Sequence, residues 1–173
     1  MGLTAAATAP RCIVVGVAGS AAAVAAVAWA AREAELRGIV LHAVHAWQPA
    51  ARSRAPYAPG LRGQASHGDE RDAAAALLRN VVRQGLDAIP TGLFTAAPLL
   101  ETAEGPAVRV LMRCAAGAEL LVLGGSPGGP AADLGPVARD CLRAAPCPVV
   151  TVSPRHVRQL APGLVRSLAG ALS

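Results

Sequence analysis

The stretch Cys12–Trp47, "CIVVGVAGSAAAVAAVAWAAREAELRGIVLHAVHAW", decides how this chain folds. Its first twenty residues, 12–31, carry no charge and are long enough to cross a bilayer. Yet Gly19-Ser20 interrupts the run, the residues before it are β-branched, and those after it are mostly alanine, which is only weakly apolar. A strand, a tight turn and a buried helix explain the stretch better than a membrane span. Gly38 then reads as the C-cap of the helix, and a second β-branched run follows it.

The same alternation continues to residue 153. Strands are expected near 12–17, 39–46, 92–97, 119–124 and 148–153, and helices near 20–37, 70–87, 106–116 and 136–145. Val108, Leu111, Met112 and Ala115 follow the spacing of a helix stripe, and Gly105-Pro106 offers an N-cap with proline at the first helical position. Strands alternating with helices predict an α/β fold, a doubly wound parallel sheet with helices on both faces.

A chain of 173 residues, 53% of them hydrophobic, suits one domain. Residues 1–10 read as a disordered arm without the basic start of a secretion signal, and 11–153 as the domain. Residues 48–68, rich in Pro, Gly, Arg and Ser, are expected to be a long flexible loop, and 154–173 an amphipathic tail. The tail places Val157, Leu160, Leu164 and Leu168 on one face, with Arg155, Arg158 and Arg166 largely off it. Docking on its own domain or a sister subunit is expected rather than membrane contact.

All sixteen basic residues are arginine, which excludes mechanisms that need a lysine, such as a Walker clamp or a Schiff base. The net charge of +5 is spread along the chain among eleven carboxylates. Phe94, Tyr57, Trp29 and Trp47 are the only aromatics, too few for base stacking, so nucleic acid is not an expected partner. Cys12, Cys114, Cys141 and Cys147 show no C-x-x-C spacing and read as small core hydrophobes in a reducing cytoplasm.

In a doubly wound sheet, ligands sit beyond the carboxyl ends of the strands where the strand order reverses. Two glycine-bearing loops compete for that place: "VGVAGS" after the first strand and "GGSPGG" after the fourth. Each leads into a helix whose N-terminus attracts anions.

The opening strand, helix and second strand, together with "EGPAVRVLMRCAAGAELLVLGGSPG" and "CLRAAPCPVVTV", resemble the universal stress protein family over roughly residues 11–153. The resemblance implies a Rossmann-like five-stranded parallel sheet of order 3-2-1-4-5, a bacterial stress-response role without enzymatic activity, and a homodimer through the last strand. The dimer contact would then fall on Val149, Val150, Thr151 and Val152. It further implies an ATP site with an aspartate after strand one, a valine ending strand two, and G-x-x-G followed at a distance by G-S or G-T at the fourth helix. The corresponding positions are Gly16, Val17, Ala18, Val44, Gly124, Gly125, Gly128, Gly135, Pro136, Val137 and Ala138.

The pattern breaks at three of these places. Ala18 stands where the aspartate should be, only six residues separate Gly128 from Gly135, and Pro136 takes the hydroxyl position while removing a backbone N–H. Charge-assisted hydrogen bonds contribute about 1.5–3 kcal/mol each, so losing two weakens a nucleotide on the order of a hundredfold. The expected nucleotide site is therefore degenerate, binding ATP weakly or not at all, and the scaffold is expected to act on an unknown protein partner. An alternative keeps ATP or AMP on the backbone amides of Gly125, Gly128 and Val137. A second, an ATP-pyrophosphatase or flavin-type enzyme, needs an acidic S-G-G-x-D-S loop that "VAGSAA" lacks.

Other constellations read as structural. His42 and His45, three apart on a strand, fall on opposite faces and make a poor metal pair, so no metal site is expected. His67, Asp69 and Glu70 sit at a helix start, where acidic residues cap. Asp133, just before the fourth helix, either repels phosphate by pointing inward or only caps the helix, and Cys147, between two prolines, reads as a fixed edge. Ser126 has no G-x-S-x-G elbow around it, so no catalytic residues are assigned.

Overall fold

The computed structural model describes residues 11–49, 66–125 and 134–154. The arm 1–10, loop residues 50–65, residues 126–133 with Ser126, Gly128 and Asp133, and the tail from 155 onward lie outside the described residues. The elements are β1 (Cys12–Gly16), α1 (Ala21–Arg37), β2 (Val40–Trp47), α2 (His67–Asp87), β3 (Leu99–Glu104), α3 (Ala107–Ala115), β4 (Leu120–Gly124), α4 (Pro136–Ala144) and β5 (Val149–Val152). All strand pairs are parallel and the sheet runs β3-β2-β1-β4-β5, as the resemblance implied.

Alternation along β1 divides the core into two layers. Ile13 and Val15 join Leu41, Ala43, Leu120 and Val122 against α1 and α2. Val14 points the other way and joins Val44, Leu121 and Leu123 against α3 and α4. Because β1 is covered on both faces and paired on both edges, Ile13, Val14 and Val15 are fully buried, and a continuous β-branched run is what such a strand requires.

The alanine-rich run is α1, begun by Ser20, whose side chain accepts from the Ala23 N–H, and ended by Gly38 at φ 62°. Its buried face is seven alanines and Val27, so the helix lies close to the sheet and to α2. Among the described residues no helix is long and apolar enough to cross a membrane.

Three element boundaries differ from expectation. The third strand is Leu99–Glu104, not 92–97. Gly92 has φ 87°, and the Thr95 backbone N–H and hydroxyl donate to the Glu35 carboxylate, so this segment is a tied-down loop. The true strand pairs only with β2, and Leu99 and Leu100 are exposed, so its pattern carries no buried signal. Helix α2 starts at His67, earlier than 70, because Ser66 and Asp69 form a reciprocal capping box. Pro106 is the N-cap of α3 rather than its first residue, while Gly105 takes φ 144° and donates to the Trp47 carbonyl.

Where α2 crosses α1, a Cβ on Gly85 would stand 2.5 Å from Val27 Cγ1. Helix propensity alone makes Gly85→Ala stabilising by about 1 kcal/mol. The contact reverses that sign, and we expect a loss of about 1–3 kcal/mol in denaturant unfolding. A more stable variant would show that the two helices have room to spare.

Candidate functional site

The carboxyl ends of β1, β2 and β4 open into a cavity of about 280 Å3. It lies at the switch in strand order, between β1 and β4, where such a sheet leaves a crevice. Its volume is near the lower end of the roughly 300–1,000 Å3 usual for small-molecule sites.

Nine of the eleven sequence-derived positions line this cavity: Gly16, Val17, Ala18, Val44, Gly124, Gly135, Pro136, Val137 and Ala138. Gly128 lies outside the described residues. Gly125 is not among the lining residues, and its N–H donates to the Val152 carbonyl at 2.8 Å. That amide is used in extending the β4–β5 ladder and is not available to a ligand, a correction to the backbone-amide alternative. The Val17 N–H is likewise taken, by the Val44 carbonyl at 2.8 Å.

Three helix N-termini reach the cavity, through Ser20 and Ala23 of the α1 start, Ala107 of α3, and Pro136 to Ala138 of α4. Helix α4 has Gly135 as N-cap and no side-chain cap; its first intrahelical bond is Arg139 N–H to Gly135 O at 3.1 Å. Pro136 has no N–H, so Val137 and Ala138 supply the first-turn donors.

Among the described residues, none that lines the cavity carries a carboxylate, a guanidinium or a thiol. The polar side chains are Ser20 and His45. The Ser20 hydroxyl oxygen accepts from Ala23 N–H at 3.3 Å. His45 Nδ1 lies 2.8 Å from the Val17 carbonyl, and since a carbonyl only accepts, Nδ1 carries the proton.

Sequence reading missed Ser20, Ala23, His45, Ala46, Ala107, Leu111 and Leu123 as lining residues. Small and aliphatic types carry no chemical signature; only their places at strand ends and helix starts could have marked them. His45 reads from the sequence as structural, and its bond to Val17 joins β2 to the loop after β1.

The remaining candidates lie apart from the cavity. His42 sits on the other face of β2, its Nε2 3.0 Å from Glu101 but off hydrogen-bond angle, and Arg113 donates to the same carboxylate at 2.6 Å. His67 stacks at a tilt on Trp47, ring centres 5.2 Å apart, and pairs with Glu104 at 3.5 Å. Asp69 caps α2 as read, and its bonds from the Ser66 backbone and hydroxyl hold its carboxyl below the usual range. Among the described residues no group of three metal-ligating side chains forms.

A parallel 3-2-1-4-5 sheet with a cavity at its switch point defines a doubly wound α/β domain of the kind that receives a small ligand at its strand ends. Comparison with known proteins carries this further. The universal stress protein family model matches residues 10–153, and the chain belongs to that family. Universal stress protein Rv2623 of Mycobacterium tuberculosis is 37% identical over 148 residues, 81% of this chain and 46% of the relative. The chain thus spans about half the length of the curated relatives it matches. Among solved structures, UspA from Lactobacillus plantarum superposes with a TM-score of 0.57 at 26% identity, covering 82% of this chain and 97% of that one. A universal stress protein in complex with cAMP superposes with a TM-score of 0.59 at 20% identity, covering 84% and 98%.

All four cysteines have their pKa raised, with burial as the largest cause in each. Glu119 adds to it at Cys12 and Asp140 at Cys141, while Arg113 opposes it at Cys114. Neutral thiols are poor nucleophiles. Iodoacetamide at pH 7 should modify folded protein at least several-fold more slowly than denatured protein, with the fully buried Cys141 last. Because folding raises these pKa values, their stabilising contribution is full below the unfolded thiol value of about 8.5 and is lost as pH climbs through the folded values. Rapid labelling of Cys147 would restore it as a redox candidate.

Proposed function

We propose that this chain is a non-enzymatic regulatory or protective binding module of the stress response, working in the cytoplasm as a homodimer, and that its cavity holds ATP weakly or not at all. The observation that carries this reading is the lining itself. Ala18, Pro136 and Ala138 occupy the places from which an aspartate and helix-start hydroxyls would grip a nucleotide. Among the described lining residues no charged side chain replaces them. Nor does the lining offer a nucleophile paired with a base, since Ser20 is bonded to Ala23 and His45 to Val17.

A second reading, that the cavity takes a nucleoside monophosphate, is favoured by one observation: the uncapped α4 start leaves the Val137 and Ala138 amides as anion donors. The relative solved with cAMP supports the same ligand class. Two amides suit one phosphate better than three.

Calorimetry separates these readings. We expect an ATP Kd weaker than about 100 µM, and at least a tenfold gain in the double variant Ala18→Asp, Pro136→Ser. Micromolar ATP binding by the unaltered chain contradicts the proposal.

The homodimer reading rests on β5, an edge strand. Pro148 and Val152 accept from Leu121 of β4 and from Gly125 just after it, so the intervening Val149 and Thr151 turn their backbone groups to the edge away from β4. Val152 is buried in the core, so a charge there would test folding instead of assembly. Thr151→Pro removes one outward N–H at a position where an edge strand tolerates proline. Sedimentation should show a dimer become a monomer with melting little changed; a dimer that survives is held by another surface.

A further inference from the structure

A second opening lies on the face of the sheet that α1 and α2 cover. It is a groove of about 640 Å3, formed by the start of α1 and the middle of α2. Ala21 and Val24 line it from α1; Leu77, Asn80, Val81 and Gln84 line it from α2, at the i, i+3, i+4 and i+7 places of one helical stripe. Val24 and Leu77 are only half-buried in the layer they belong to, so part of each apolar side chain is left to the groove. Among the described residues no charged side chain lines it.

Pro154, two residues beyond β5, also lines the groove. Helix α1 packs on β4 and β5 as well as on α2, which brings the end of β5 to the groove's edge. The described chain therefore ends at this groove, and residue 155 sets out from it.

The sequence that follows has matching chemistry. Val157, Leu160 and Ala161 share one face at helical spacing, Arg155 and Arg158 lie off it, and Pro162-Gly163 ends the unit. Seven helical residues reach about 10 Å, and packed helix axes stand about 8–10 Å apart, so residues 155–161 are long enough to pass from Pro154 over the start of α1 to α2. With no arginine in the lining, nothing there repels the basic side of this unit. A second copy of the chain would have to find the groove from solution, whereas this segment starts at its edge, at an effective concentration on the order of millimolar.

We propose that the groove between α1 and α2 is the docking site of this chain's own segment 155–161, with Val157 and Leu160 covering Val24 and Leu77 and the arginines left in water. Ser20 lines both this groove and the strand-end cavity, so the docked segment backs the turn between β1 and α1 from outside.

The test uses the full chain and thermolysin, which cuts before leucine, with cleavage before Leu160 followed by mass spectrometry. Ala21 is exposed, so Ala21→Arg puts a long charged side chain into the groove without touching the core. Melting should change little, while cleavage before Leu160 should be at least tenfold slower in the unaltered chain than in this variant. Leu160→Asp gives an independent reading, since undocking should shift the side-chain amide NMR signals of Asn80 and Gln84. Equal cleavage rates in the unaltered chain and Ala21→Arg, or Asn80 and Gln84 signals that stay in place in Leu160→Asp, overturn the proposal. Protection that disappears in a monomeric Thr151→Pro variant seats the segment on a sister subunit and overturns it too. So does cleavage that is fast in buffer and slowed by phosphatidylglycerol vesicles, which assigns the segment to a lipid surface.

Discussion

The end of β4 and the first turn of α1 meet backbone to backbone. A Cβ on Gly124 would stand 2.7 Å from the Ala22 carbonyl carbon and 2.9 Å from Ala22 Cβ, so only glycine facing a small residue permits the approach. This contact fixes where α1 begins, and with it the loop between β1 and α1 that forms one wall of the cavity. Gly16 repeats the constraint on the other face, where a Cβ would stand 2.7 Å from Leu123 Cδ2. Crowding at two strand ends thus shapes the cavity independently of any ligand.

A cavity built this way keeps its form when its polar groups are lost. Backbone sterics and aliphatic packing define the walls; charge-bearing side chains only grip. Ala18 and Pro136 lie outside the buried core, and Ala138 packs into it as a small apolar residue, so these three residues are compatible with the scaffold. On the proposed reading, what the described residues offer a ligand is the partial positive charge of three helix starts, a weaker surface than a triphosphate clamp. The fold implies a ligand crevice, whereas the chemistry of these particular residues decides what it holds.

Much of this was legible in the sequence, for definite reasons. The central strand, Cys12–Gly16, announces itself as an uninterrupted β-branched run because both its faces are buried. Gly38 and Ser20 mark the ends of α1 through backbone chemistry that few other residues perform. Edge elements were opaque: β3 exposes Leu99 and Leu100 and carries two glutamates, so nothing in its pattern competes with the apolar loop around Phe94. The cavity was legible at its glycines. It was not legible at His45, whose role comes from a contact 28 residues away along the chain, nor at Gly125, whose amide is claimed by a strand pairing invisible before the sheet is assembled.

The central claim is that this cavity retains its shape without a triphosphate grip. Its most direct test is the nucleotide content of protein purified without added ligand, released by denaturation and quantified by mass spectrometry against protein concentration. The account predicts ATP far below one per chain; close to one ATP per chain would contradict it.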